Sequence, residues 1–285
     1  KYTVIYRLNY ISEDLSDTSI DEIERKDVVK KVKEIVAKGT IETAKRSLRL
    51  LSDVFNFAIA SDYTEKNPCI LVGELIPEHE VQSYPCLPVS EMPEFFRRLE
   101  QCNAFPITKV VLKLACFTGT RISELLKARW DSGEIDFENK VWTIPKERMK
   151  AEKEHRVPLS EPAIELLKSI QTDTRPQSYI FPAPRTGSML SDMSLTALIK
   201  RMHEQKLKEN GLGYIDPKQN RVITTHGFRS TFRDWSADMT DYPREVCEHV
   251  LAHKLPDEVE AAYLRGAYLE KRKGLMADWA EFCNA

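Results

Sequence analysis

The spacing of apolar residues constrains this chain most, because it follows the helical period of three to four residues along most of the sequence. β-branched and aromatic runs interrupt that period at residues 140–144 and 156–159, on either side of a charged turn. A third short run at residues 134–137 completes an antiparallel meander of three strands. The sequence therefore predicts a mainly α fold with one small antiparallel β-sheet.

The helical pattern is broken between residues 68 and 88, where four prolines occur: Pro68, Pro77, Pro85 and Pro88. We therefore predict a helical domain over 1–75, an interdomain linker over 76–88 and a larger mixed domain over 89–285. A length of 285 residues agrees with two domains of about 100 to 200 residues each.

The charges of the chain nearly cancel, since 42 Lys and Arg stand against 44 Asp and Glu, for a net charge of −2. A hydrophobic share of 42% excludes a disordered chain. Neither predicted domain is basic overall, so a nucleic-acid partner has to be inferred from local patches.

Six cysteines are scattered without a CxxC pair, which is typical of reduced core thiols in a cytosolic protein. No apolar run approaches the 18 to 20 or so residues that cross a bilayer, so we expect no membrane association. The chain begins with Lys1, which leads us to expect a fragment whose amino terminus is missing.

A local basic cluster occurs in the first domain, on a helix that Thr40 is expected to cap. Lys45, Arg46 and Arg49 lie away from the apolar stripe of this helix. Such a face can contact phosphates, or it can be an ordinary solvated surface. Spacing alone favours the solvated surface.

Two motifs in the second domain suit an anionic ligand. Arg121 follows Thr-Gly-Thr at the start of a helix, where unpaired amides favour anions. His226 and Arg229 are three residues apart, on one face of a helix that Thr224 or Thr225 would cap. An imidazole beside a permanent cation suits a substrate that needs proton transfer. A capped helix with a partly buried histidine is the equally good alternative.

A pair of histidines, His249 and His253, has the i, i+4 spacing that some zinc sites use. The metalloprotease motif needs Glu directly after the first histidine, and here Val250 takes that place. Because no third ligand is nearby in the sequence, we predict no metal site.

Four segments taken together resemble the tyrosine recombinase family, the phage-type integrases, and most of all the integrases of P4-like phages and genomic islands. They are FTGTRISELLKARW (117–130), ERMKAEKEHRVPLS (147–160), THGFRSTFRDW (225–235) and VLAHKLPDEVEAAYLRGAYLEKR (250–272). The resemblance covers nearly the whole chain, and the four segments follow one another in the family's order.

The resemblance implies six catalytic residues: Arg121, Lys150, His226, Arg229, His253 and the nucleophile Tyr263. Lys150 is preferred over Lys153 because it lies seven residues before Val157, where the family lysine falls. Tyr263 is preferred over Tyr268 because it follows the last histidine by ten residues.

The resemblance also implies a function. A helical core-binding domain and the catalytic domain would form a C-shaped clamp on DNA, with Lys45, Arg46 and Arg49 contacting phosphates. The protein would cleave and rejoin strands through a 3′-phosphotyrosyl intermediate, integrating or excising a prophage or genomic island without metal or cofactor. Expected partners are double-stranded attachment sites, three further copies in a tetramer on synapsed DNA, and an excisionase or DNA-bending proteins in the bacterial nucleoid.

Several alternatives stay open. A relative that cuts and reseals one strand, like a type IB topoisomerase, would use the same residues, and a DNA-binding regulator could use the same scaffold with a dead site. The chain lacks room for the amino-terminal arm-binding domain that island integrases commonly carry. The apolar stripe of the last helix, 268–282, could pack on its own domain or on a neighbouring protomer.

Overall fold

The computed structural model describes residues 2–78, 82–171, 179–253 and 268–285. The chain divides into two compact units, Lys1–Gln82 and Ser83–Ala285. The prediction of a mainly α fold is confirmed. None of the described helices is long and apolar enough to cross a lipid bilayer.

The first unit consists of three helices, α1 (Tyr2–Ser12), α2 (Arg25–Ala37) and α3 (Ile41–Ala60). The apolar spacing predicts α2 and α3, and Gly39 separates them with a left-handed φ of 73°. The apolar spacing does not predict α1. A core of apolar side chains from α2 and α3 holds the unit together: Val28, Val32, Ile35, Ala44, Leu48, Leu51 and Phe55.

Thr40 takes the predicted N-cap position of α3, but its side chain does not cap the helix. Its hydroxyl instead donates a hydrogen bond to the Ile35 carbonyl at 3.0 Å. Thr40 therefore links the end of α2 to the start of α3.

The second unit carries the remaining described helices. They are α4 (Met92–Gln101), α5 (Pro106–Thr118), α6 (Ile122–Leu126), α7 (Glu161–Ile170), α8 (Asp192–Asn210), α9 (Gly227–Asp238), α10 (Arg244–Val250) and α11 (Tyr268–Asn284). Each was predicted from apolar periodicity, with ends that shift by a few residues. The apolar spacing also predicts a helix over 256–263, and that segment lies outside the described residues.

The predicted meander is confirmed as a three-stranded antiparallel sheet of β1 (Ile135–Asp136), β2 (Val141–Ile144) and β3 (His155–Pro158). Trp142 on β2 pairs with Ile135 on one side and Val157 on the other. The described residues also contain a second sheet, β4 (Ile215–Asp216) paired with β5 (Arg221–Val222). The apolar pattern does not predict this second sheet, because strands of two residues show no alternation.

The last helix packs within its own unit. Leu275, Met276, Trp279 and Cys283 of α11 have no exposed surface. The Trp279 indole also donates a hydrogen bond to the Cys116 carbonyl of α5 at 2.9 Å. This face of α11 is therefore part of the core of the second unit.

The predicted core thiols agree with the structure. All six cysteines are free, and five of them are buried. Cys86 is half-buried, beside the Asp216 carboxylate.

The segment before α4 is fixed along α9. The Pro85 carbonyl accepts a hydrogen bond from the Thr224 amide at 3.1 Å. The Leu87 carbonyl accepts one from the Thr231 hydroxyl at 2.7 Å. The end of the predicted linker therefore packs against the second unit.

This packing requires glycine at the first position of α9. A Cβ on Gly227 would lie 2.0 Å from the Pro85 carbonyl oxygen. We expect Gly227→Ala to lower the free energy of unfolding by about 3 kcal/mol, since backbone cannot move aside cheaply. Urea titration measures this loss.

Gly274→Ala is the matched control. A Cβ there would meet the Tyr242 hydroxyl at 2.8 Å, which is the movable end of a side chain. Because alanine also favours the helix, we expect a change below about 1 kcal/mol. Equal losses in the two variants would contradict the assigned clash.

Candidate active site

Arg229 is the centre of the candidate site, on the first turn of α9. Its side chain is buried, with 7% of the residue exposed. One terminal nitrogen donates to the Gly119 carbonyl. The other donates to the Leu251 carbonyl at 2.7 Å and to Nε2 of His253 at 3.1 Å. Arg229 therefore joins the ends of α5 and α10 to the start of α9.

Arg121 is the N-cap residue of α6, where it is held by Glu124. The Arg121 amide donates to one Glu124 oxygen, and its guanidinium donates to the other, each at 2.9 Å. Glu124 is only 2% exposed. Glu124 is not among the residues predicted from the sequence, although an acidic residue three positions after an N-cap is a capping-box signal.

His226 immediately precedes α9 and is half-buried. Its ring lies 4.4 Å from the Tyr84 ring, centroid to centroid, at an angle of 58°. The predicted cap was wrong, because the N-cap position of α9 is His226 and its side chain makes no capping hydrogen bond. The Thr224 hydroxyl instead accepts a hydrogen bond from the Gly227 amide at 3.1 Å, just before the helix. Tyr84 was not predicted, since no local sequence pattern connects residues so far apart.

The electrostatics of these groups suit an anion and a proton acceptor. Burial lowers the pKa of His226, and the positive charges of Arg229 and Arg121 lower it further. Burial also lowers the pKa of Arg229 to about 10, with Arg121 adding to the effect. At neutral pH the imidazole is therefore neutral while the Arg229 guanidinium remains charged.

His253 contacts the site with both ring nitrogens. Nδ1 lies 2.6 Å from a Glu248 carboxylate oxygen, and Nε2 faces Arg229. The other member of the histidine pair, His249, has its ring 5.3 Å from the Tyr268 ring. Within the described ranges, no group of three His, Cys, Asp or Glu side chains could hold a metal ion.

The described contacts and charges thus bring together Arg121, His226, Arg229 and His253. Lys150 is exposed in the turn between β2 and β3, and is not among these contacts. Tyr263 lies outside the described residues.

The basic cluster of the first unit remains a prediction. Lys45, Arg46 and Arg49 are all exposed on α3. Arg46 forms an ion pair with Glu42 at 2.5 Å.

Family models match both units of the chain. The model described as the phage integrase family matches residues 87–270, and the phage integrase central domain matches residues 1–73. The chain belongs to the phage integrase family. The resemblance to P4-like integrases is thereby confirmed.

Two relatives show how this phage integrase compares in sequence. Prophage integrase IntA of Escherichia coli K12 is 29% identical over 95% of this chain and 62% of its own length. The integrase of Enterobacteria phage P4 is 27% identical over 96% of this chain and 62% of its own length. The chain therefore spans less than two thirds of these relatives.

Solved structures share the fold of this phage integrase. The Tn1549 transposon integrase in complex with circular intermediate DNA has a TM-score of 0.66 at 17% identity, covering 92% of this chain and 87% of that one. The lambda integrase(75–356) dimer bound to a COC′ core site has a TM-score of 0.62 at 19% identity, covering 89% and 87%.

Proposed function

We propose that this phage integrase is a site-specific tyrosine recombinase that cleaves and rejoins DNA to integrate or excise a prophage or genomic island. The observation that carries the proposal is the pair of arginines, Arg121 and Arg229, near a neutral imidazole. Two guanidiniums suit a phosphodiester, because they bind its non-bridging oxygens and neutralise the charge added in the transition state.

Tyr263 is the proposed nucleophile. Its phenolic oxygen forms a bond to the scissile phosphorus while the bond from phosphorus to the 5′ oxygen breaks. A phenol has a pKa of about 10, so the proton must be removed as the attack proceeds. His226 accepts that proton, since its lowered pKa keeps it neutral. His253 contributes a hydrogen bond to the phosphate.

The leaving 5′ oxygen needs a proton, and Lys150 is the proposed donor. Its place in an exposed turn allows it to reach a bound strand. The phosphotyrosyl bond conserves the energy of the broken backbone bond, so the 5′ hydroxyl of another strand can displace the tyrosine. Strand exchange then needs neither metal nor nucleotide, because the arginines supply the positive charge.

The surrounding assembly follows from the same proposal. The two units would clamp a duplex attachment site, with Lys45, Arg46 and Arg49 contacting phosphates and residues 76–88 forming the linker. Four copies would act on synapsed sites in the bacterial nucleoid. An excisionase or DNA-bending proteins would set the direction of exchange.

The test is covalent capture. The native protein is incubated in EDTA with nicked duplexes tiled across the junctions between the encoding element and the host chromosome. Denaturing electrophoresis should reveal an adduct at one nick position. Absence of any adduct would contradict the proposal and favour a DNA-binding regulator. Relaxation of supercoiled DNA without exchange between two sites would favour a topoisomerase-like enzyme.

The role of Lys150 predicts a chemical rescue. We expect Lys150→Ala to slow cleavage of ordinary DNA about a hundredfold, because the leaving oxygen loses its proton donor. A 5′-thio leaving group needs no proton and should restore the rate. Single-turnover cleavage assays measure both substrates.

Lys153→Ala is the matched control in the same turn, and it should cleave both substrates at the normal rate. If the thio substrate failed to rescue Lys150→Ala, the lysine would not be the proton donor. If Lys153→Ala showed the rescue instead, the assignment would move to that residue.

A further inference from the structure

One carboxylate, that of Glu248 on α10, joins two side chains that the proposed mechanism treats separately. One of its oxygens accepts a hydrogen bond from Nδ1 of His253 at 2.6 Å. The other accepts one from Nε of Arg233 at 2.9 Å. The side chain is 15% exposed, so solvent screens these contacts only weakly.

Helix geometry explains why this contact forms beside the candidate site. Arg229 and Arg233 are four residues apart on α9, so their side chains leave the same face of the helix. Arg229 contacts the Leu251 carbonyl at the end of α10 and the His253 ring. Arg233, one turn further along α9, contacts Glu248, which lies about one turn before Leu251. The carboxylate is therefore held by α9 from one side and faces the imidazole on the other.

These contacts determine which ring nitrogen of His253 carries the proton. A guanidinium can only donate, so Nε2 of His253 accepts from Arg229. A carboxylate can only accept, so Nδ1 carries the hydrogen and donates it to Glu248. The pKa of Glu248 supports this reading: burial raises it, but hydrogen bonds from His253 and Arg233 outweigh burial and lower it.

A second arginine near Glu248 provides a contrast. Nε of Arg244 lies 3.7 Å from the same carboxylate oxygen that Arg233 contacts. Its side chain is 77% exposed, and an exposed ion pair of that length contributes little. Arg233 and His253 are thus the partners that fix the carboxylate.

We propose that Glu248, held by Arg233, is a positioning residue that keeps His253 in the Nδ1–H tautomer in the DNA-free protein, with Nε2 accepting from Arg229. This rests on the proposed function, in which Nε2 of His253 takes up a proton before it donates to the phosphate, while Nδ1–H donates to Glu248 in both states. His253 needs such support because its side chain is 44% exposed, so packing alone does not fix the ring. A hydrogen bond to the remote nitrogen is the usual means of orienting a functional imidazole.

The first test reads the tautomer directly and needs no catalysis. Nitrogen-15 correlation spectra of histidine side chains are recorded on the native protein without DNA, with His253→Gln used to assign the signal. We expect the Nδ1–H pattern for neutral His253. We expect Glu248→Leu to lose it, and Glu248→Gln to retain it because the amide oxygen still accepts. An unchanged pattern in Glu248→Leu would overturn the proposal.

The second test measures cleavage by adduct formation. We expect Glu248→Leu to slow cleavage about tenfold, with Glu248→Gln restoring most of the rate and DNA affinity unchanged. In a His253→Ala background, Glu248→Leu should add no further loss, because it acts through that ring. Full additivity of the two losses would show that Glu248 acts elsewhere and would overturn the proposal.

Arg244→Ala is the control, and it should change neither the tautomer nor the rate. If Glu248→Leu fails to fold, the double variant Glu248→Leu, Arg233→Leu is used in both tests. The double variant also removes the Arg233 cation, which Glu248→Leu alone leaves unpaired. If the wild-type protein forms no adduct, the proposed function fails while the tautomer measurement still decides the role of Glu248.

Discussion

Tyr263→Phe is expected to abolish the covalent protein–DNA adduct. The substitution removes one oxygen, the proposed nucleophile, and leaves a side chain of nearly the same shape. Removing a nucleophile commonly costs several orders of magnitude in rate, so the adduct should fall below detection on a denaturing gel. Binding to the same DNA should persist, because the arginines and the basic surface are unchanged.

Tyr268→Phe is the matched control for that result. Tyr268 is the first residue of α11, and its ring packs beside His249. The variant should form the adduct at the normal rate. Loss of the adduct in Tyr268→Phe together with its retention in Tyr263→Phe would move the nucleophile to the later tyrosine.

Arg229→Lys is expected to slow cleavage about a thousandfold with little change in DNA affinity. The guanidinium donates to the Gly119 carbonyl, the Leu251 carbonyl and His253, and so fixes the ends of α5 and α10 beside the candidate site. An ammonium keeps the charge but has no planar fork for this geometry. Single-turnover cleavage and a separate binding titration measure the two effects.

Arg244→Lys makes the same chemical change on an exposed arginine, and its cleavage rate should equal that of the wild type. Thermal unfolding of Arg229→Lys should also be recorded, because the residue is buried. A loss below about tenfold in a folded variant would contradict a role for Arg229 in the transition state.

Most helices were predictable from the sequence because each buries one stripe of apolar residues. The apolar positions of α2, such as Val28, Val32 and Ile35, are both periodic and buried. The second sheet was missed because its two strands have only two residues each, too few to show alternation, although Ile215 and Val222 pair in a local hairpin. Helix α1 was not predicted either, although it packs Ile11 into the core of the first unit.

The candidate site was predictable only in part. Arg121, His226, Arg229 and His253 stand in recognisable motifs, and the structure brings them together. Their supporting residues carry no comparable signal, because Tyr84 and Glu248 act through tertiary contacts.

The burial of Arg229 has a consequence for the cell during synthesis of the protein. Its guanidinium is held by carbonyls at Gly119 and Leu251, which are separated by more than a hundred residues of chain. A ribosome-bound fragment that ends before α10 carries both arginines and the Glu124 contact of Arg121, but it lacks Leu251 and His253, which hold Arg229. The buried arrangement of Arg229 therefore forms only after α10 and the residues that follow it have been synthesised.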